Sequence, residues 1–185
     1  MGRRRAENAA HRLLQQLGVV SENLPIDVKK IAKTLGIAIV ERPQLSKAGY
    51  GTISGLLLRR EGSTICIINR DHPPTRRRYS IAHEIGHFIL HPPEEAYIDV
   101  AARSDKSSDG TDPREIEANA FAAVLLMPEQ LLRQRVPRPL DISFEDDAEA
   151  ISQLAKEFNV STMAMTYRLL NLGLLVESPA GIGGL

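Results

Sequence analysis

Cysteine, tryptophan and long apolar runs are scarce or absent in this chain of 185 residues. The single cysteine, Cys66, excludes a disulfide within the chain and any metal site built from several thiolates. No stretch approaches the roughly 18 uninterrupted apolar residues that a membrane-spanning helix needs, and the charged start MGRRRAENAA lacks the apolar core of a secretory signal. With 43% hydrophobic and 25% charged residues the composition is globular, and we expect a cytoplasmic protein without membrane contact.

The chain also has no net charge, but the zero is the sum of two unlike halves. Residues 1–80 hold 15 Lys and Arg against 6 Asp and Glu, whereas residues 81–185 hold 8 against 17. A basic half could bind nucleic acid or an acidic partner. We favour the simpler interpretation that the halves neutralise each other, with Arg76, Arg77 and Arg78 on a solvated face that pairs with acids of the second half.

Helix and strand patterns alternate along most of the chain and predict an α+β fold. The periodicity predicts helices at 6–17, 28–35, 76–90 and 112–127, a strand at 37–40, a β-hairpin at 49–69 with Gly62 in its turn, and a polar surface loop at 94–111. The helix at 112–127 is apolar around nearly its whole circumference, a pattern typical of a buried helix.

Two further helices are predicted at 148–158 and 162–172, with Asn159 in the turn between them because asparagine tolerates a positive φ. This helix-turn-helix pattern suggests a second class of function, the binding of DNA. Residues 141–177 carry 7 acidic and 2 basic residues, which would repel phosphate and disfavour direct DNA contact. We therefore expect these helices to pack on the rest of the chain or to bind a protein.

The helix at 76–90 contains His83-Glu84-Ile85-Gly86-His87, the spacing H-E-x-x-H. Positions i and i+4 share one face of a helix, so both imidazoles can reach one cation while Glu84 projects beside them. Zinc in a hydrolytic site usually takes three protein ligands and a water. The motif therefore predicts one Zn²⁺ per chain, with Glu84 as the general base that takes a proton from the water and delivers it to the leaving amine.

The third ligand is expected from the helix at 112–127, which offers Glu115 and Glu117. The two point about 200° apart, so only one of them can face the metal. Glu115 shares its face with small residues that permit close approach of two helix backbones, whereas Glu117 lies above bulkier ones. We predict Glu115 as the ligand, and Asn119, one turn further on, as the residue that hydrogen-bonds a ligand imidazole and fixes its tautomer.

Simpler interpretations apply to the other candidate residues. His91, one turn beyond the motif, is predicted as a helix-terminal histidine near the negative end of the helix dipole, rather than a fourth ligand. Cys66 is predicted to be a buried strand thiol. Tyr50, Tyr79 and Tyr97 are unranked candidates for stabilising an oxyanion, with packing as the alternative for each.

At these residues the chain resembles the ImmA/IrrE family of zinc metallopeptidases. The similarity rests on residues 78–87, RYSIAHEIGH, and on residues 115–128, EIEANAFAAVLLMP, with further likeness at 24–37 and in the hairpin. It implies a gluzincin-like fold, in which a small sheet packs on the zinc helix. It also implies a substrate, because members of this family are commonly encoded beside a helix-turn-helix repressor of the XRE class and cleave it.

Together these features predict an α+β zinc endopeptidase that hydrolyses a peptide bond in a partner protein, an XRE-type repressor, and so controls gene expression. Residues 1–140 are predicted to form a gluzincin-like metallopeptidase domain, residues 141–177 a helix-turn-helix-like subdomain and residues 178–185 a flexible tail. The alternative is a non-catalytic regulator that binds DNA or the repressor through the helix-turn-helix.

Overall fold

The computed structural model describes residues 2–18, 24–47, 51–60, 62–91, 98–99, 112–141 and 143–176. The fold is α+β, as predicted, and the chain divides into two compact units, Met1–Leu126 and Met127–Leu185. The predicted tail at 178–185 and most of the predicted loop at 94–111 lie outside the described residues. Within the described ranges, no helix is both long and apolar enough to cross a membrane.

In its described part, the first unit consists of four helices and six strands. The helices are α1 (Gly2–Gln16), α2 (Val28–Thr34), α3 (Pro74–Leu90) and α4 (Pro113–Leu126). The strands are β1 (Ile37–Arg42), β2 (Ser46–Lys47), β3 (Gly51–Thr52), β4 (Gly55–Arg60), β5 (Ser63–Asn69) and β6 (Ile98–Asp99).

The main sheet has the strand order β1-β5-β4-β6. The predicted hairpin is β4 and β5, which pair antiparallel around Gly62, whose φ of 74° is the left-handed conformation that glycine adopts readily. Strand β1 pairs parallel with β5, and β6 pairs antiparallel with β4. The prediction of a loop throughout 94–111 is wrong at residues 98–99, because a two-residue strand is fixed by its partner and not by any pattern of its own.

Helix α3 packs against β4 and β5 on one side and against α4 on another, and α1 packs on α4. Residues 80–87 of α3 are therefore all buried. The buried residues of α4 all lie from Ala118 onward, so the predicted burial of this helix holds only there. Ile116, near its start, is 41% exposed. The H-E-x-x-H segment thus lies in the middle of the first unit, between sheet and helix.

Three consecutive arginines at the start of α3 bind residues of the N-terminal half. Arg76 donates to Ser54 Oγ, Arg77 forms an ion pair with Glu41, and Arg78 donates to a backbone carbonyl oxygen at residue 26. Their predicted pairing with acids of the second half is wrong at these contacts. The reason is topological, since β1 and the turn before β4 reach the N-terminal end of α3, whereas charge totals say nothing about which elements are neighbours.

Gly86 lets α3 and α4 approach closely. A Cβ added at this position would lie 3.2 Å from the Cα and 3.3 Å from the carbonyl oxygen of Ala118, which is fully buried on α4. Backbone atoms cannot shift without moving their helix, so a residue larger than glycine at position 86 must push α3 and α4 apart. The pair Gly86 and Ala118 therefore sets the distance between the two helices.

We expect Gly86→Val to lower the free energy of unfolding of the metal-free protein by about 1–3 kcal/mol, the usual cost of overpacking. Gly86→Ala should cost less, because the better helix propensity of alanine returns about 1 kcal/mol. Urea unfolding measures both, with Ala123→Val on a less buried face of α4 as a control expected within about 0.5 kcal/mol of the parent. An unchanged stability for Gly86→Val would show that the helices are not in tight contact.

The second unit contains α5 (Glu129–Arg135), β7 (Leu140–Asp141), α6 (Glu145–Phe158), α7 (Thr162–Asn171) and β8 (Leu175–Val176) in its described part. The predicted helix pair is α6 and α7, and Asn159 between them has the expected positive φ, 51°. Ser161 begins α7 by accepting a hydrogen bond from the backbone N–H of Ala164. The predicted boundary after residue 140 lies inside this unit and stays a prediction.

Candidate metal centre

Helix α3 brings His83 and His87 together on one of its faces. Pro74 stands in its first turn, where a missing N–H costs nothing, and the helix ends at Leu90. Both histidines are 1% exposed, and their Nε2 atoms lie 2.9 Å apart. Two imidazole nitrogens this close, buried and pointing together, are arranged for a shared cation.

Helix α4 adds the carboxylate of Glu115. One oxygen lies 3.3 Å from His83 Nε2 and the other 3.1 Å from His87 Nε2. In a tetrahedral site with metal–ligand distances of about 2.0–2.1 Å, neighbouring ligand atoms are about 3.3 Å apart. The three side chains therefore fit a single ion of this size, and among the described residues they form a group able to hold one.

Charge favours the same interpretation. Burial alone would raise the pKa of the Glu115 carboxyl, but the hydrogen bonds and charges of His83 and His87 outweigh it and hold this pKa well below its usual value. Glu115 is therefore ionised at neutral pH. One ionised carboxylate and two imidazoles are a ligand set found in hydrolytic zinc sites.

Asn119 lies where the sequence predicts it, one turn beyond Glu115. Its Oδ1 lies 3.0 Å from His83 Nδ1 and accepts a hydrogen bond of the same length from the Tyr79 hydroxyl. Because an amide oxygen only accepts, His83 Nδ1 carries a proton, and Nε2 is the nitrogen left to bind an ion. Of the three tyrosine candidates, Tyr79 thus contacts Asn119, while Tyr50 and Tyr97 lie outside the described residues.

His91 and Glu117 have a role that sequence reasoning missed. His91 Nδ1 lies 3.1 Å from His87 Nδ1, and His91 Nε2 lies 3.1 Å from a carboxylate oxygen of Glu117. Burial lowers the pKa of His91, although the hydrogen bond to Glu117 acts in the opposite direction. The sequence does contain a signal for this contact, since His83, His87 and His91 are each one helical turn apart.

Glu84 lies on the sheet side of the centre, beside β4. It is 2% exposed, and a Cβ on Gly55 would lie 2.8 Å from its Oε1, so a larger residue at this position would have to displace the Glu84 carboxylate. Burial, together with the negative charge of Glu84, raises the pKa of the Cys66 thiol on β5. Cys66 is thus the buried strand thiol that the sequence predicts. The Glu84 carboxylate lies between α3, which carries it, and β4 of the sheet.

Comparisons with known proteins identify the family of this chain. Residues 32–170 match the IrrE N-terminal-like domain, peptidase family M78. The chain is 25% identical over 159 residues to metallopeptidase ImmA of Bacillus subtilis, covering 83% of this chain and 88% of that protein. It is 30% identical over 111 residues to the radiation response metalloprotease IrrE of Deinococcus radiodurans, covering 57% of this chain and 30% of that protein.

A solved structure described as a Mycobacterium tuberculosis transcriptional regulator shares the fold, with a TM-score of 0.53 and 17% sequence identity. The match covers 97% of this chain but only 49% of that one. At this identity the likeness concerns the fold alone. The family match covers both helices of the centre, and the chain therefore belongs to the ImmA/IrrE family of metallopeptidases, hydrolases that depend on a metal ion.

Proposed function

We propose that the protein is a zinc-dependent endopeptidase that cuts a partner protein. The observation that carries this proposal is the convergence of His83 Nε2, His87 Nε2 and the Glu115 carboxylate at 2.9–3.3 Å from one another. Membership of a metallopeptidase family supports a metal ion and a protein substrate. We propose one Zn²⁺ per chain, because two imidazoles and one carboxylate are a donor set of hydrolytic zinc sites.

In this proposal Glu84 is the catalytic residue. When bound, the zinc ion supplies a Lewis acid that lowers the pKa of water toward about 7 and polarises the scissile carbonyl. Glu84 accepts a proton from the attacking water on its carboxylate and later donates it to the nitrogen of the leaving amine. Its burial beside Gly55 keeps the carboxylate away from bulk solvent, on the same helix as the proposed ligand histidines.

The edge of β4 beside Glu84 is a candidate binding place for an extended substrate segment. The Ser54 carbonyl accepts a hydrogen bond from the backbone N–H of Asn69 on β5, and successive residues of an antiparallel strand present their backbone groups to alternate sides. The N–H and C=O of Gly55 therefore face away from β5. Among the described residues, β6 pairs only with Leu57 and Leu58, which leaves Gly55 to a substrate strand.

Replacing Gly55 by proline tests this edge, with Gly55→Ala as the matched control. Both variants place a Cβ beside Glu84, but only proline removes the backbone N–H. We expect Gly55→Pro to cleave about 2–10 times more slowly than Gly55→Ala, equivalent to one hydrogen bond of about 0.5–1.5 kcal/mol, with equal metal content. Equal cleavage rates in the two variants would reject strand addition at this position.

We further propose that the substrate is a repressor of the XRE class and that cleavage relieves repression in the cytoplasm. The support is the sequence resemblance, since members of the ImmA/IrrE family commonly act on such a repressor. The test is incubation of the purified enzyme with the product of any XRE-class gene that neighbours its own, followed by mass spectrometry of the products. A single cut at a defined bond is the expected result, and an intact repressor would reject this substrate.

The alternative function, DNA binding through α6 and α7, has less support. Of the two basic residues in 141–177, Arg168 is 5% exposed and donates to the backbone carbonyl of Met127. The exposed face of α7 carries Met163, Tyr167 and Leu170, at the i, i+4 and i+7 spacing of one helix face. An apolar face suits contact with a protein better than contact with phosphates. We therefore propose that the subdomain at 141–177 binds a protein and that catalysis belongs to residues 1–140.

A further inference from the structure

A chain of two hydrogen bonds, which we call the His91–Glu117 relay, runs from the centre toward α1. It consists of the contact between His87 Nδ1 and His91 Nδ1 and the contact between His91 Nε2 and Glu117 Oε2, each 3.1 Å long. The side chains of His91 and Glu117 are 8% and 13% exposed. Both contacts are therefore largely shielded from water, where hydrogen bonds direct side chains most strongly.

We infer that His91 and Glu117 are positioning residues that hold His87 in the tautomer able to bind the metal. This inference rests on the proposed function, because it concerns a ligand of the proposed zinc site. It assigns a role to two residues that neither bind the ion nor touch the substrate. They act through the ring of His87.

The argument follows the protons along the relay. A carboxylate only accepts hydrogen bonds, so the contact with Glu117 places a proton on His91 Nε2. In a neutral imidazole the other nitrogen then carries a lone pair, so His91 Nδ1 accepts. The donor must be His87 Nδ1–H, so Nε2, the atom that lies 3.1 Å from Glu115, is the nitrogen that can give up its proton to bind an ion.

The opposite tautomer would block the site. A proton on His87 Nε2 would point at Glu115 and at His83 Nε2, the groups with which it is to share an ion. The relay disfavours this tautomer, because two lone pairs would then face each other between His87 Nδ1 and His91 Nδ1. Asn119 does the same for His83 by a different route. Each ligand imidazole is thus fixed from its far side, His83 by an amide and His87 by a second histidine backed by a carboxylate.

Neighbouring groups hold the two relay residues in place. Arg59 donates to the backbone carbonyl oxygens of His87 and His91, at 2.8 and 2.7 Å, and so fixes the end of α3. Arg5 of α1 lies 3.9 Å from Glu117, and a Cβ on Gly2 would collide with the Glu117 carboxylate. The carboxylate is therefore enclosed between α4 and the first turn of α1, with its oxygen directed at His91.

The test reads the tautomers directly, in the metal-free protein labelled with ¹⁵N-histidine. Two-dimensional NMR spectra that correlate ring nitrogens with ring protons distinguish Nδ1–H from Nε2–H. We expect both His83 and His87 of the parent to carry a proton on Nδ1. In His91→Leu and in Glu117→Leu, the His87 signals should shift toward Nε2–H, while those of His83 stay unchanged, an asymmetry that general loosening of the fold would not produce.

A second measurement is zinc affinity, by competition with a chromophoric chelator. His91→Leu and Glu117→Leu should weaken binding by about 10–100-fold, the usual effect of losing such a partner. His91→Asn, whose amide oxygen can accept in place of Nδ1, should recover part of that loss. His11→Leu, which alters a half-buried histidine of α1 outside the relay, is the control and should leave the affinity unchanged.

The two measurements separate the possible failures. If the parent binds no zinc, the proposed function fails, while the tautomers of the metal-free variants still decide whether the relay orients His87. If the parent binds zinc and both leucine variants keep the Nδ1–H tautomer of His87 and the parental affinity, the inference is overturned and the proposed function stands. Tautomer shifts in both leucine variants support the relay.

Discussion

Replacing Glu84 by glutamine is expected to abolish peptide cleavage while leaving the metal in place. Glutamine has nearly the same shape as glutamate, so it should fit between α3 and Gly55, but it cannot accept a proton from water. General acid–base catalysis contributes about 10²–10⁴-fold to a rate, and we expect a loss of that size. The measurement combines the cleavage rate of a protein substrate with the metal content of the same preparation.

Glu41→Gln is the control for this experiment. Glu41 lies on β1 and pairs with Lys29 and Arg77, apart from the proposed ligands, so its replacement should leave cleavage intact. The Glu84 variant also separates the two candidate functions, since a regulator that works by binding alone would relieve repression without Glu84. Parental activity or parental derepression in Glu84→Gln would refute the enzymatic account.

Replacing Glu115 by alanine is expected to have the largest effect on metal binding. The carboxylate supplies one of three protein donors, and without it the two imidazoles cannot hold the ion against water. The loss should exceed the roughly 10–100-fold that follows removal of a partner behind a ligand. Competition with a chelator measures it, and cleavage should fall in parallel because the ion supplies the Lewis acid.

Glu149→Ala is the control for the Glu115 variant, because Glu149 is exposed on α6 and bonds Gln153 one turn away. Its zinc affinity should equal that of the parent. Glu117→Leu should give an intermediate value, since Glu117 acts through His91 rather than on the ion. If the Glu115 variant bound zinc as tightly as the parent, this carboxylate would not be a ligand, and another side chain would have to supply the third donor.

The grouping of His83, His87 and Glu115 was largely predictable because the pattern of the two histidines is local. The spacing of His83 and His87 needs only the geometry of a helix, and a helix of that length is clear from the sequence. The choice of Glu115 over Glu117 followed from small residues on one face of the second helix, and the structure brings the Glu115 oxygens within 3.3 Å of both histidines. Beyond these local patterns, the inference required only the assumption that the two helices pack together.

What depends on distant pairing was not predictable. The parallel pairing of β1 with β5, the strand at 98–99 and the pairing of β7 with β8 involve residues far apart in sequence, and the two-residue strands have no pattern of their own. The role of Glu117 was missed for a similar reason. Glu115 and Glu117 lie on different faces of α4, yet both contact histidines of the neighbouring helix. Glu115 lies beside His83 and His87, and Glu117 beside His91. Only the packing of the two helices shows this.

The central claim is that one zinc ion is bound by two histidines of α3 and one glutamate of α4. A crystal of the zinc-loaded protein, with diffraction recorded on both sides of the zinc absorption edge, tests it most directly. The account predicts one anomalous peak per chain, about 2.0–2.2 Å from Nε2 of His83, Nε2 of His87 and a carboxylate oxygen of Glu115. A map without a peak at that place, or with zinc bound by other side chains, would contradict it.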